Sequence, residues 1–393
     1  MLHALTLSPV PCALRQAFKA VMPSIEHQIL TACAEENPDE DQLQRIRGTM
    51  AQSVDTGRLI DLAVKEGVGG FVYKSLLKSG CLEALNPRHQ QTFYNIYYLT
   101  VRKNLKLLHA LNRILEDANK EGLEVVLLQG MALLQKAYAD VGLRPMKDMD
   151  LWVLPDSYQK LIDILARQNY RKDPLYPGIY RKGEIVLDIH THLLWADRIK
   201  AREYLLSQDQ DSIFRRSGSV DIEGFKALCL SPQDHFLYLG LHALKHNFER
   251  LIWLVDIKCL VDEWNRADWD LLIERAKELG HKKTLHYVLY LLTFIFGIRL
   301  PDETSSHLLS WAPGYLEKKI LHRRIDGHPI PTWAQLMMIS NGRKFGQRLS
   351  FFYETLFPRP EALQQVFASA PQLSVPKLYW KRVLQVFGFG RSS

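Results

Sequence analysis

The strongest pattern of apolar and polar positions lies in residues 125–154, VVLLQGMALLQKAYADVGLRPMKDMDLWVL. Val125, Val126, Leu127 and Leu128 form an apolar run closed by Gln129 and Gly130, which predicts a buried strand stopping at a residue without a Cβ. Met131, Leu134, Ala137 and Tyr138 recur at helical spacings until Gly142 and Pro145 end the pattern, so a helix should follow directly. Met149, Leu151 and Val153 then alternate with Asp148 and Asp150. Side chains two apart on a strand share a face, so this second strand would present both carboxylates together. A third alternation, in GEIVLDIHTHLLW, sets Asp188, His190 and His192 on one side of another strand.

Elsewhere the period is helical. In residues 24–120, Leu59, Leu62, Ala63 and Val64 open one amphipathic segment and the glycines of GVGG interrupt it. Tyr94, Tyr97, Tyr98, Val101, Leu105 and Leu108 fit a longer helix running toward Asp117. Its tyrosine stripe is expected to be core packing, with base stacking as the alternative. Pro155, Asp156 and Ser157 start a helix expected to cover the sheet, and residues 170–183 read as a polar, turn-rich connection. Ser231-Pro232-Gln233-Asp234 combines an N-cap, a first-turn proline and a first-turn acid. The helix it opens carries His242 and His246 four apart, but Ala243 stands where an HExxH protease needs its glutamate, so that reading fails. Both histidines are expected to be structural, with a substrate-facing role as the alternative. Two more helices follow over residues 268–299, and the apolar stretch at 287–298 falls short of the ~20 residues that span a bilayer. The whole predicts an α+β fold. A small mixed-sheet core at 121–228 is flanked by helical lobes at 1–120 and 229–300, with a basic extension at 301–393.

Composition narrows the class. With 47% hydrophobic and 24% charged residues, the 393-residue chain matches soluble globular proteins and excludes global disorder. A net charge of +7 and a pI near 9.0 favour anionic partners such as nucleotides, phosphorylated substrates, nucleic acid or acidic membrane surfaces; a merely basic surface is the alternative. Cys12, Cys33, Cys81, Cys229 and Cys259 are odd in number and form no CxxC pair, which points to reduced thiols in a cytoplasmic setting. Residues 1–22 are broken by Pro9, Pro11, Arg15 and Lys19 and lack the continuous apolar region of a targeting segment. The terminal PKLYWKRVLQVFGFGRSS interleaves Lys377, Lys381, Arg382 and Arg391 with Tyr379, Trp380 and Phe387. It reads as a last helix docked by its aromatics, or as a peripheral contact with an anionic membrane surface or a protein partner.

The aspartates carry the chemistry. Asp148 and Asp150 repel each other at this spacing, and a soluble fold tolerates such a pair when a cation sits between them, magnesium being the natural candidate. Asp188 is the best-placed third carboxylate. Three carboxylates on neighbouring strands could hold two ions about 3.5–4 Å apart and bracket an in-line displacement at phosphorus. His190 is expected to be a histidine hydrogen-bonded at the rim; the alternative is a proton acceptor or orienting group beside the metals or on the acceptor side, and neither reading makes it a zinc ligand. Asp256 is expected to be a capped or surface aspartate, with a place facing the active site as the alternative.

The runs LLQGMALLQKAYADVGLRPMKDMDLWV, LDIH, LSPQDHFLYLGLHALKH and RLIWLVDI together resemble the poorly characterised nucleotidyltransferase family of the DNA polymerase β-like superfamily, over about residues 59–261. The resemblance implies a small mixed-sheet catalytic core, two divalent ions, and transfer of a nucleoside monophosphate from an NTP to an unidentified acceptor. Asp148 and Asp150 match the family's paired carboxylates, Asp188 its third, Gly130 its strand-to-helix glycine, and Arg144 the basic residue before the pair. Gln129 stands where lysine is frequent, and Met131 where the superfamily prefers glycine or serine. The expected enzyme is magnesium-dependent: an acceptor hydroxyl attacks the α-phosphate and pyrophosphate leaves. Asp148, Asp150 and Asp188 would hold the metals, while Gly130, Met131, Arg144 and Lys147 would face the triphosphate. A core that binds without turnover, a scaffold, is the alternative, motivated by Gln129 and Met131. A nucleic-acid-associated protein is a third reading, resting on basicity alone.

Overall fold

The computed structural model describes residues 23–196, 200–206, 210–301, 304, 313–341, 344–367 and 373–387. The segment 1–22 with Cys12, and Arg391, lie outside the described residues. Five helices come first: α1 Ile25–Ala32, α2 Glu40–Met50, α3 Thr56–Glu66, α4 Gly69–Ser79 and α5 Pro87–Lys120. Their ends follow local chemistry. Asp39 and Gln42 close a capping box on α2, Asp55 caps α3, and Gly67 ends α3 at φ +76°. Asn86 caps α5, whose 34 residues make a rod about 50 Å long.

The chain then builds a seven-stranded mixed sheet. Its strands are β1 Val126–Leu127, β2 Met149–Trp152, β3 Arg171–Lys172, β4 Ile179–Lys182, β5 Ile185–His190, β6 Gly218–Ile222 and β7 Phe225–Cys229, in the order β3-β4-β5-β2-β1-β7-β6. Helix α6 Gln129–Lys136 follows β1 and α7 Tyr158–Arg167 follows β2, giving the expected α+β architecture. At the centre, β2 and β5 run parallel with Asp150 opposite Asp188. The connection at 170–183 is not merely turns: it holds β3 and β4, antiparallel to each other, with β4 also antiparallel to β5. The β6–β7 hairpin turns on Glu223 and Gly224, both at positive φ, the pairing a two-residue turn requires.

Helix α8 Gln210–Arg215 lies between β5 and β6, and beyond the last strand come α9 Pro232–Lys245, α10 Leu251–Val261, α11 Arg266–Leu279, α12 Lys282–Phe296, α13 Tyr315–Ile325, α14 Phe345–Leu356, α15 Pro360–Val366 and α16 Val375–Val386. Helix α9 starts at the expected Ser231 cap and is apolar or buried on nearly every side, because α10, α11 and α12 all pack against it. Asp234 in its first turn is buried and pairs with Arg275 of α11 at 2.6 Å. Among the described residues no helix is long and apolar enough to cross a membrane. On α16, Leu378 is buried, the Tyr379 hydroxyl donates to the Pro358 carbonyl, and Trp380 stays 66% exposed. The tyrosine stripe of α5 meets the core-packing expectation only in part: Tyr97 packs against the core, while Tyr94 and Tyr98 are 44% and 46% exposed, turned away from the buried face of α5.

The loop from α6 to β2 is held from several directions by the helices that precede the sheet. Glu36 accepts from the backbone N–H groups of Ala139 and Asp140, at 3.0 and 2.9 Å. Asp140 accepts from the Tyr97 hydroxyl and pairs with Lys74. The fully buried Asn104 amide donates to the carbonyls of Val141 and Arg144, at 2.7 and 2.8 Å. Bonded in this way at several points, the loop has little freedom to shift. Gly70 of α4 lies so close beneath it that a Cβ would overlap the Gly142 carbonyl oxygen. Gly70→Ala therefore costs about 3 kcal/mol or more in chemical denaturation, since the obstacle is backbone. Gly48→Ala, on an exposed helix position with nothing within 4 Å of the new Cβ, should stabilise by up to about 1 kcal/mol. Equal effects of the two changes would refute the close approach.

Candidate active site

Parallel pairing of β2 with β5 sets Asp150 beside Asp188, and the alternation along β5 brings His190 to the same side. Ligand atoms of Asp150, Asp188 and His190 all lie within 4.8 Å of one another. His190 Nε2 is 3.0 Å from Asp150 Oδ1 and 3.8 Å from Asp188 Oδ1, with the imidazole buried. Asp148 sits one residue ahead of β2, and its carboxyl is pushed up to about 6 by burial and by the charges of Asp150 and Asp188. All three carboxylates thus share one electrostatic field. Such a set suits a hard divalent ion, which takes oxygen ligands and relieves like-charge repulsion. His192 does not extend the row: it lies past the end of β5, where its Nδ1 accepts from the backbone of Leu194 and Ala196.

A second wall of the site was not visible in the sequence. Tyr238, His242 and Lys245 lie on one face of α9, at spacings of four and three. Trp195 stacks on Tyr238, ring centroids 5.7 Å apart, and meets His190 edge-on at 6.3 Å. Lys245 Nζ stands 3.6 Å above the Trp195 ring and the Arg202 guanidinium 5.9 Å from it. Trp195 is held at φ +60°, a conformation that costs a bulky residue about 1–3 kcal/mol and that recurs at functional sites. Burial, then the fields of Asp150 and Asp188, keep the Tyr238 hydroxyl protonated, and Gln129 Nε2 donates to it at 3.4 Å. His242 and His246 are held neutral by burial and by neighbouring positive charge, His246 being pushed down to about 3. Helical spacing does gather the residues of α9, but nothing local announces that their face meets Trp195.

The residues expected at a triphosphate are placed as follows. Gly130 opens α6, where a Cβ would press on Met146 and approach the Arg144 guanidinium. The Met131 side chain is buried in the core, which leaves its backbone N–H as the group it can offer, and Lys147 is exposed next to Asp148. Arg144 is buried, donating through Nε and Nη2 to Asp256, with Nη2 to Oδ2 at 2.8 Å. Asp256 is completely buried and also accepts from the Tyr138 hydroxyl at 2.7 Å, which overturns the capped or surface expectation for it. An apolar helix such as α10 can bury an aspartate because a fixed guanidinium and a hydroxyl neutralise and satisfy it.

A family model described as an uncharacterised nucleotidyltransferase matches residues 52–297, a span that contains every residue of both walls. Comparison with curated proteins gives no match, and neither does comparison with solved structures.

Two outcomes follow from this geometry. A carboxyl pushed up from 3.8 to about 6 disfavours the folded state once ionised, so metal-free protein loses stability as pH rises through that window. Asp148→Asn should therefore be more stable than wild type by about 3 kcal/mol near pH 7.5 and equal to it near pH 4, in urea titrations with EDTA. No difference at either pH would remove the shared field. Asp256→Ala strands the Arg144 charge in the core and should cost about 3–5 kcal/mol, while the paired change Arg144→Met with Asp256→Leu should cost less than Asp256→Ala alone.

Proposed function

We propose, for a chain that belongs to the uncharacterised nucleotidyltransferase family, a magnesium-dependent transfer of a nucleoside monophosphate from an NTP to an acceptor hydroxyl, with release of pyrophosphate. One observation carries this reading: Asp150 and Asp188 side by side on parallel strands, His190 against both, and Asp148 within their field. Asp148, Asp150 and Asp188 would hold two magnesium ions. When bound, magnesium neutralises phosphate charge and favours ionisation of the attacking hydroxyl. His190 donates from Nε2 to Asp150 and fixes its orientation. Asp188 positions the acceptor hydroxyl and takes its proton as the oxygen bonds to the α-phosphorus. The bond from that phosphorus to the β-phosphate oxygen breaks, and pyrophosphate departs with the electron pair. Lys245 and Arg202, over the Trp195 ring, supply positive charge for the departing phosphates. Backbone amides after Gly130 at the start of α6, with Lys147 and the anchored Arg144 beside them, add to the same field.

Calorimetry with each NTP, with and without magnesium, tests the site, and a labelled-NTP screen against cell extract tests the transfer. Asp150→Asn and Asp188→Asn should each abolish magnesium-dependent NTP binding and transfer. His190→Ala, which removes an orienting group, should weaken metal affinity about 10–100-fold. Lys245→Met should weaken binding of the triphosphate more than binding of the monophosphate. NTP affinity that is equal with and without magnesium, and unchanged in Asp150→Asn, would rule the reading out.

A further inference from the structure

A surface helix ordinarily turns its polar residues to water, but α14 turns an apolar row outward. Phe345, Leu349 and Tyr353 recur every four residues along it and are 82%, 56% and 61% exposed. The other side of the helix is anchored. Phe351 and Thr355 are buried, and the half-buried Glu354 accepts from the backbone N–H of Ala201 at 3.1 Å. The outward row is thus held in solvent by the way the helix is seated.

Helix α16 repeats the arrangement. Leu378 and Val386 are buried on its inner side, while Trp380, Leu384 and Phe387 recur on the outer side at spacings of four and three. Rings join the two rows: Tyr353 lies 5.3 Å from Phe357, and Phe357 lies 5.9 Å from Tyr379, the neighbour of Trp380. Single exposed apolar side chains are common on proteins, whereas a connected set spread over two helices marks a surface that meets something.

Charge says what it meets. Lys344 heads the row on α14, Arg359 stands between α14 and α15, and Lys377 and Lys381 flank Trp380; all four are exposed. Among the described residues no ion pair engages any of these four. The carboxylates described between 344 and 387 are Glu361 and the inward Glu354, so the face is positive. Apolar and aromatic side chains beside cations are what a helix presents when it lies in the plane of a lipid interface. The rings enter the edge of the acyl region, and the cations stay among the headgroup phosphates. At 12 residues each, α14 and α16 are far short of the ~20 that span a bilayer, so they can lie on it only. Pairing this face with a second copy about a two-fold axis would set the same cations against one another. Single-stranded nucleic acid would match the charge but leave Leu349 and Leu384 unused, since an aliphatic chain offers a base no ring to stack on.

We propose that α14 and α16 form a peripheral docking face for bilayers with anionic headgroups, Phe345, Leu349 and Trp380 entering the interface and Lys377 and Lys381 holding the headgroup phosphates. The inference stands apart from the nucleotidyl-transfer reading and uses none of its residues.

The test sediments the full chain with vesicles of phosphatidylcholine alone and of phosphatidylcholine mixed with phosphatidylserine. Binding to the mixed vesicles should exceed binding to phosphatidylcholine at least about 10-fold and fall as salt is raised. Phe345→Ser combined with Trp380→Ser should weaken it at least about 10-fold. Lys377→Glu combined with Lys381→Glu should weaken it at least about 20-fold, since each cation at such a surface contributes about fivefold. All four side chains are exposed, so both double variants should keep the wild-type melting temperature. Brominated lipids should quench the tryptophan emission of the wild type and quench that of Trp380→Phe less, which reads insertion directly. Absence of binding to the mixed vesicles, equal binding to both kinds of vesicle, or unchanged binding in either double variant would overturn the proposal. So would a dimer in analytical ultracentrifugation that Phe345→Ser with Trp380→Ser dissolves, found together with no vesicle binding, because the face would then belong to a second copy.

Discussion

Like-charge repulsion among Asp148, Asp150 and Asp188 is the constraint around which this fold is arranged. Nothing in the three side chains holds them together; their interaction pushes them apart, and burial together with that repulsion drives the Asp148 carboxyl up to about 6. The scaffold supplies the opposing force. Asp150 and Asp188 are fixed by a parallel ladder at the centre of the sheet, where a shift of register by one residue would turn both to the other face. Asp148 has no ladder partner of its own, and its position depends on the loop before it. That loop is bonded to Glu36, Asn104 and Tyr97 on one side and, through Arg144, to Asp256 on the other.

The flanking helices are therefore part of the site even where they touch none of its carboxylates. Asn104 satisfies two carbonyls of the loop from the middle of α5, and the Arg144–Asp256 pair fastens the same loop to α10. A buried ion pair of this kind contributes little net stability, because desolvating both charges offsets most of their attraction. What it does supply is direction: guanidinium and carboxylate meet in one bidentate arrangement, and the Tyr138 hydroxyl completes it. The pair has the form of a registration device, setting where β2 begins.

How much of this was legible in advance depends on the range of the interaction. Strand, glycine, helix and aspartate pair were readable in residues 125–154 because each is a local pattern, and the side of β5 on which Asp188 falls follows from alternation alone. The caps at Asp39, Asn86 and Ser231 are local as well. Asp256 misled for the opposite reason: its burial is decided by Arg144, more than a hundred residues away in the chain, and its own helix gives no hint of that partner. The wall made by Trp195, Tyr238 and Lys245 joins a loop to a helix across the sheet, and only the folded chain brings them together. β3 has two residues and carries charge on both, so no period exists in it to detect. The β6–β7 hairpin is different. VDIEGFKALC alternates around Glu223-Gly224, a turn signal that was present and passed over.

The two walls together define a polarity. On the strand side stand three carboxylates; on the α9 side stand Lys245 and Arg202 over an aromatic face. Two titratable groups between them are kept uncharged: Tyr238 holds its proton and His242 stays neutral, both chiefly through burial. Neutral groups of this kind do not screen the field that runs from one wall to the other, and burial keeps the local dielectric low enough for that field to act over several ångströms. In the transfer proposed above, this polarity would orient a triphosphate with its charged tail toward the cations and its reacting phosphorus toward the carboxylates. The left-handed backbone at Trp195 belongs to the same design, because a relaxed backbone there would swing the ring off Tyr238 and take the platform away from Lys245.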